Sequence, residues 1–278
     1  MKRFGWLLVA AIFVVCVVIL PSTGHGVVSS SADSGVGGRP LWMLLVPVLA
    51  GTAVALVIPL RTPAVAEPRS VARTWLLVGL AVLFPLLVGI GSLGDSILYL
   101  ALKVLMFVVV PVVAFRFIRD DVRQPRIVPR TRWQWLAPVP AIAVWASLAY
   151  ATPLAPAVPT LKDYPDPAYV AVAAVSTFLT ASVGEEIFYR YFLQTHLEAV
   201  AGRSTGIAVA ALLFALMHVP THGSGPAWVI VATAVALQGV TGVFLGVLWS
   251  RYRNLWANIV VHAMLNGVGV VLYFVSLG

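Results

Sequence analysis

The run AYVAVAAVSTFLTASV, Ala168 to Val183, leads without a break into GEEIFYR, Gly184 to Arg190. The first part is apolar enough for a bilayer; the second brings two adjacent carboxylates and an arginine to membrane depth. An ionisable side chain in hydrocarbon costs about 3 kcal/mol on insertion scales, so such groups pair, face a cavity and mark function. A helix continued through both parts puts Glu186 and Arg190 at i and i+4 on one face, where they pair. Glu185 then points about 100° away and is free for another task.

The rest of the chain has the same character. Of 278 residues, 60% are hydrophobic and only 10% charged, with a mean hydropathy of +0.97. A soluble domain carries about 25% charged residues. The expected fold is all-α, a polytopic transmembrane bundle of about eight or nine spans. The net charge of +8 does not signal nucleic acid, because the cations sit in loops between apolar runs. Cys16 is the single cysteine and lies in the first apolar run, which excludes an intrachain disulfide and reads as packing.

Apolar runs place spans at Phe4 to Leu20, Leu41 to Leu60, Trp75 to Ser92, Ser96 to Ile118, and Trp133 or Trp135 to Ala151. Further spans follow at Ala168 to about Leu197, Gly206 to Val219, Ala227 to Ser250, and Leu255 to Phe274. Each is near the ~20 residues needed to cross a bilayer. The first, behind Lys2 and Arg3, has the shape of a signal peptide, with Ser30-Ser31-Ala32 as a cleavage site. Its length exceeds the usual ~7–15-residue apolar region and favours an uncleaved anchor over residues 1–20. Pro21 to Pro40 reads as a flexible Ser/Gly-rich loop, and Pro153 to Pro167 is too proline-dense for a helix. Trp42, Trp75, Trp133, Trp135, Trp228, Trp249 and Trp256 fall at span ends, as an aromatic belt requires.

Alternating the loops from a cytoplasmic N-terminus puts Lys2, Arg3, Arg61, Arg69, Arg73, Arg116, Arg119, Arg123, Arg126, Arg130, Arg132, Arg203, Arg251 and Arg253 inside. Only Arg39 and Lys162 fall outside, as the positive-inside rule demands. A plasma (inner) membrane location follows as an expectation. Pro125 to Arg132 divides N-terminal spans of unassigned role, 1–132, from a functional region, 133–278, with its motif core at 168–273.

Polar groups are few in the later spans. Glu185 and Glu186 are the acids expected within an apolar helix. His218 ends Phe214-Ala215-Leu216-Met217-His218, and His262 opens His262-Ala263-Met264-Leu265-Asn266, with His262 and Asn266 one turn apart. Glu185 and His218 lie at nearly equal chain distances either side of the turn at Gly202. Antiparallel neighbours would therefore bring them to similar depth, ~25 Å from that turn. His262 sits one to two turns nearer its own turn at Arg253, a mismatch that tilt or a cytoplasmic extension of the Glu185 helix would absorb.

A carboxylate, water and imidazoles in a low-dielectric cavity suit hydrolysis, with a buried Glu as general base. Imidazole and amide N–H groups suit an oxyanion. The same Glu185, His218 and His262 suit a divalent metal such as Zn²⁺ with an open position for water. Bland readings stand beside these: a structural Glu186–Arg190 pair, a helix-end His218, and a His262–Asn266 contact between helices. Lys103 reads as a structural cation that snorkels toward the outer face. His196 reads as solvated, and His222 as a loop residue. Gly242 and Gly246 make a Gly-x-x-x-Gly packing face.

Taken in order on successive helices, Glu-Glu-x-x-x-Arg, Phe-x-x-x-His and His-x-x-x-Asn resemble the CAAX-protease and bacteriocin-processing (CPBP, or Abi) family of intramembrane proteases. The resemblance spans about Ala168 to Tyr273. It implies that Glu185 activates water with His218, that His262 and Asn266 stabilise the oxyanion, and that Glu186 and Arg190 support Glu185. The family is labelled metalloprotease, while a metal-free, glutamate-activated water is also proposed for it; both stay open here. The implied substrate is a membrane-associated protein or peptide reached from the lipid bilayer, with no nucleic acid involved. The alternatives are a catalytically silent membrane scaffold or immunity factor, and a proton-coupled transporter.

Overall fold

The computed structural model describes residues 5–29, 37–58, 70–94, 97–119, 122, 131–155, 166–221 and 225–275. Arg61, Arg69, Asp95, Arg123, Arg126, Arg130, Lys162 and His222 lie outside the described residues. The helices are α1 (Gly5–Ser22), α2 (Leu41–Val57), α3 (Ala72–Gly91), α4 (Ile97–Phe117), α5 (Arg132–Leu136), α6 (Val139–Tyr150), α7 (Pro167–Ala201), α8 (Arg203–Thr221), α9 (Ala227–Tyr252) and α10 (Leu255–Val275). Seven of them are long and apolar enough to cross a membrane; α2 is shorter. The all-α polytopic bundle expected from the sequence is the fold observed. Helices are what such runs must form, because hydrocarbon offers no partner for an open backbone group. The described strands are a two-residue antiparallel ladder, Val27–Val28 (β1) against Arg39–Pro40 (β2).

Local chemistry sets the ends. Asp166 caps α7, its side chain accepting from the Ala168 N–H at 2.8 Å, with Pro167 at the first helical position. Gly202, at φ 85°, breaks α7 from α8 in a conformation that a side chain would strain. Arginines of the expected cytoplasmic loops close helix C-termini. Arg73 Nε and Nη2 donate to Ile118 and Phe115 carbonyls at the end of α4, and Arg251 donates to the Ile58 carbonyl after α2. Orphan carbonyls there carry partial negative charge, which a guanidinium satisfies.

The packing ignores the division at Arg132. Phe84 of α3 and Phe107 of α4 share one core with Phe188, Tyr189 and Phe214 of α7 and α8. Val48 and Ala55 of α2 share another with Trp145 of α6 and Phe244 of α9. Val9 and Phe13 of α1 pack on Ala211, Ala215 and Val235. The Gly242–Gly246 face is a contact: a Cβ at Gly242 would stand 3.2 Å from Ala211 Cα, and one at Gly246 3.0 Å from Gln194 Oε1.

Three expectations are corrected by burial. Trp249 is no belt residue; it is fully buried and donates from Nε1 to Thr195 Oγ1 at 3.2 Å. The other named tryptophans are exposed, as a belt requires. His196 is buried, with Nδ1 2.8 Å from the Phe192 carbonyl. Glu198 is a third buried acid, ion-paired to Arg253 and bonded to Gln194 Nε2 at 2.8 Å. Sequence put Trp249 at a span end and His196 in solvent, but α7 continues for 35 residues and its C-terminal end packs against α8 and α9.

Candidate active site

The α7 helix does run through the Glu185–Arg190 stretch. Phe178–Gln194 winds in wide π turns, bonded i to i+5 rather than i to i+4. Short π stretches also interrupt α4 at Leu105–Val109 and α9 at Val235–Gly239. A wider turn slips the side-chain register, which loosens the expected Glu186–Arg190 pair. Arg190 Nε lies 3.5 Å from Glu186 Oε2, and the guanidinium nitrogens have no hydrogen-bond partner among the described residues. The guanidinium instead lies over the Phe214 ring, 4.7 Å from its centroid.

Glu186 is taken up by α10. Its Oε1 lies 2.8 Å from His262 Nδ1, and its Oε2 accepts from Asn258 Nδ2 at 3.2 Å. Asn258 Nδ2 also donates to the Leu245 carbonyl at 2.8 Å, tying α7, α9 and α10 together. A His262 ring that donates from Nδ1 to this carboxylate and carries no second proton presents its lone pair at Nε2. That Nε2 stands 3.8 Å from Glu185 Oε2. His262 therefore lies between two adjacent carboxylates, bonded to one and open to the other. The expected depth mismatch does not keep them apart.

Glu185 is 2% exposed. Its two oxygens differ: Oε1 lies 2.5 Å from Lys103 Nζ of α4, while Oε2 is buried without a hydrogen-bond partner among the described residues. Lys103 is therefore not a snorkelling cation; it is 5% exposed and points inward. His218 of α8 is half-buried, with Nδ1 2.8 Å from the Phe214 carbonyl, and it lies within electrostatic range of Glu185. Asn266, one turn beyond His262, is exposed and makes no hydrogen bond within the described residues.

Residues 167–268 match the family model described as type II CAAX prenyl endopeptidase Rce1-like. Over that segment the chain is similar to the Rce1-like family. No curated protein and no solved structure matches the chain. The family is one of endopeptidases, which implies a protein substrate, and the apolar helices make this an integral membrane protein. The Rce1-like segment holds Glu185, Glu186, Arg190, His218, His262 and Asn266. It also holds Asn258, which sequence reasoning missed although it lies one turn before His262, as Asn266 lies one turn after. Lys103 falls outside the Rce1-like segment, and no motif pointed to it.

The donor set was also considered as a metal site. Among the described residues no group of three or more His, Cys, Asp and Glu side chains is placed to hold an ion. The Lys103 ammonium lies against Glu185 Oε1, where it would oppose a divalent cation. Glu185, His218 and His262 as arranged do not fit Zn²⁺.

Proposed function

We propose that this chain is an intramembrane endopeptidase that hydrolyses a peptide bond of a membrane-associated protein or peptide. The observation that carries the reading is the 3.8 Å separation between Glu185 Oε2 and His262 Nε2, both inside an apolar bundle. Polar atoms at that separation are bridged by one water bent between them. The water oxygen attacks the carbonyl carbon of the scissile bond as Glu185 Oε2 takes its proton. The tetrahedral intermediate then collapses, the C–N bond breaks, and the same proton passes to the leaving amine. His262 Nε2 accepts from the same water, His218 supports its activation by Glu185, and Asn266 donates to the oxyanion.

The reaction runs without a bound metal in this reading. Support comes from the Lys103 charge at Glu185. Substrate enters laterally from the bilayer of the plasma (inner) membrane, where the protein's N-terminus is cytoplasmic. The test is cleavage of a membrane-anchored peptide reporter by the full chain in lipid nanodiscs. Glu185→Gln, His218→Ala and His262→Ala should each abolish cleavage, and chelator should leave the wild-type rate unchanged. Cleavage that persists in Glu185→Gln would refute the proposal.

A further inference from the structure

Lys103 is a buried ammonium in a segment with no family motif. Burial of an ion pair is weak evidence for stability, since a well-packed apolar pair serves a core as well or better. The local packing nevertheless locks the Lys103–Glu185 contact from both sides. Tyr99, one turn before Lys103, holds its ring centroid 5.0 Å from Nζ. Phe107, one turn after, stacks on Phe188 of α7 at 4.4 Å and 17°, and meets Tyr189 edge-on at 5.5 Å. Phe188 follows Glu185 by one short step along α7, so this aromatic contact fixes where the carboxylate stands relative to α4.

The consequence lies in the two oxygens. The last torsion of a glutamate is broad, so a carboxylate without a partner has no single orientation. Here Oε1 is held at 2.5 Å by Lys103, which turns Oε2 toward His262 Nε2. From this asymmetry we infer that Lys103 is a positioning residue, supplied by the N-terminal spans, that assigns Oε1 to anchoring and Oε2 to proton transfer. The inference rests on the hydrolytic reading above. It makes the active site a joint product of α4 and the Rce1-like segment.

The experiment compares wild type, Lys103→Met, Lys103→Arg, Glu185→Gln and the double variant Glu185→Gln/Lys103→Met in nanodiscs. It measures kcat and KM on the membrane-anchored reporter, and thermal melting of each protein. Lys103→Met should lower kcat about 10²-fold, the scale of a misplaced catalytic group, with KM little changed. Lys103→Arg, which keeps a donor cation, should restore part of that loss. Glu185→Gln should lower the Tm by stranding the ammonium, and the double variant should recover it, a coupling that needs no turnover. Wild-type kcat in Lys103→Met, with Glu185→Gln inactive, overturns the inference and leaves the hydrolytic reading standing. Thermal coupling without any kcat effect assigns Lys103 to the fold alone and also overturns it. A wild-type protein that cleaves no reporter overturns the hydrolytic reading itself.

Discussion

His262 Nδ1 lies 2.8 Å from Glu186 Oε1, so the second glutamate of the pair orients an imidazole on α10 as well as meeting Arg190. Asn258 completes this link from one turn earlier on α10, bonding Glu186 Oε2 and the Leu245 carbonyl. Asn258→Ala leaves both acceptors short of a donor in a buried place. The expected loss is about 1–3 kcal/mol. With Glu186 freed, His262 drifts, and kcat should fall by up to about 10²-fold. Thermal melting and reporter cleavage measure the two effects separately, and an unchanged Tm would contradict the bonding described.

Phe107 joins α4 to α7 through its stack on Phe188 and its contact with Phe84 at 4.7 Å. Phe107→Ala removes a fully buried ring and should cost about 3–5 kcal/mol. Phe107→Leu keeps most of the volume and should cost less. Because the ring sits one turn from Lys103, the alanine variant should also lose activity at temperatures where it remains folded. Melting curves and rates on the same preparations test this.

The bundle was legible because its signal is redundant: long apolar runs, arginine loops and tryptophan ends agree with one another. The last span is expected at Leu255 to Phe274 and is observed at Leu255–Val275. Lys103 was not legible, because a lone cation in an apolar run does not reveal which distant helix it faces. Its partner is fixed by the register between α4 and α7, which sequence does not encode locally. Asn258 was hidden by a competing motif on the other side of His262. Trp249 was misjudged because a residue near a span end reads as interfacial, whereas Tyr191 and Thr195 of α7 pack against it. The π turns of α7 left no sequence mark that periodicity detects.

Gly206 marks the closest approach of α8 to the end of α7. A Cβ there would stand 2.6 Å from Glu198 N and 2.8 Å from Glu198 Cα, both backbone atoms that cannot swing aside. Gly206→Ala should therefore push the two helices apart, costing about 1–3 kcal/mol by overpacking. Gly267→Ala is the control, since nothing lies within 4 Å of a Cβ at that position. A Gly206→Ala protein that melts with wild type would refute the close contact.

Glu198 and Arg253 form a buried ion pair between α7 and the turn after α9, with Arg253 at φ 48°. Glu198→Gln leaves the guanidinium buried without its counter-charge, a loss of about 3–5 kcal/mol. Adding Arg253→Asn removes the stranded charge with a residue that tolerates the left-handed region. The double variant should then melt above Glu198→Gln alone, the non-additivity expected of groups in contact.

Asn266 separates chemistry from folding more cleanly than any other residue of the site. It is exposed and bonded to nothing within the described residues, so Asn266→Ala should melt with wild type. If its amide donates to the oxyanion during turnover, kcat should still fall by about 10²–10³-fold, the usual loss of one such donor. KM should change little, because the charge it meets exists only in the transition state. Asn266→Ala retaining full kcat would remove Asn266 from the mechanism.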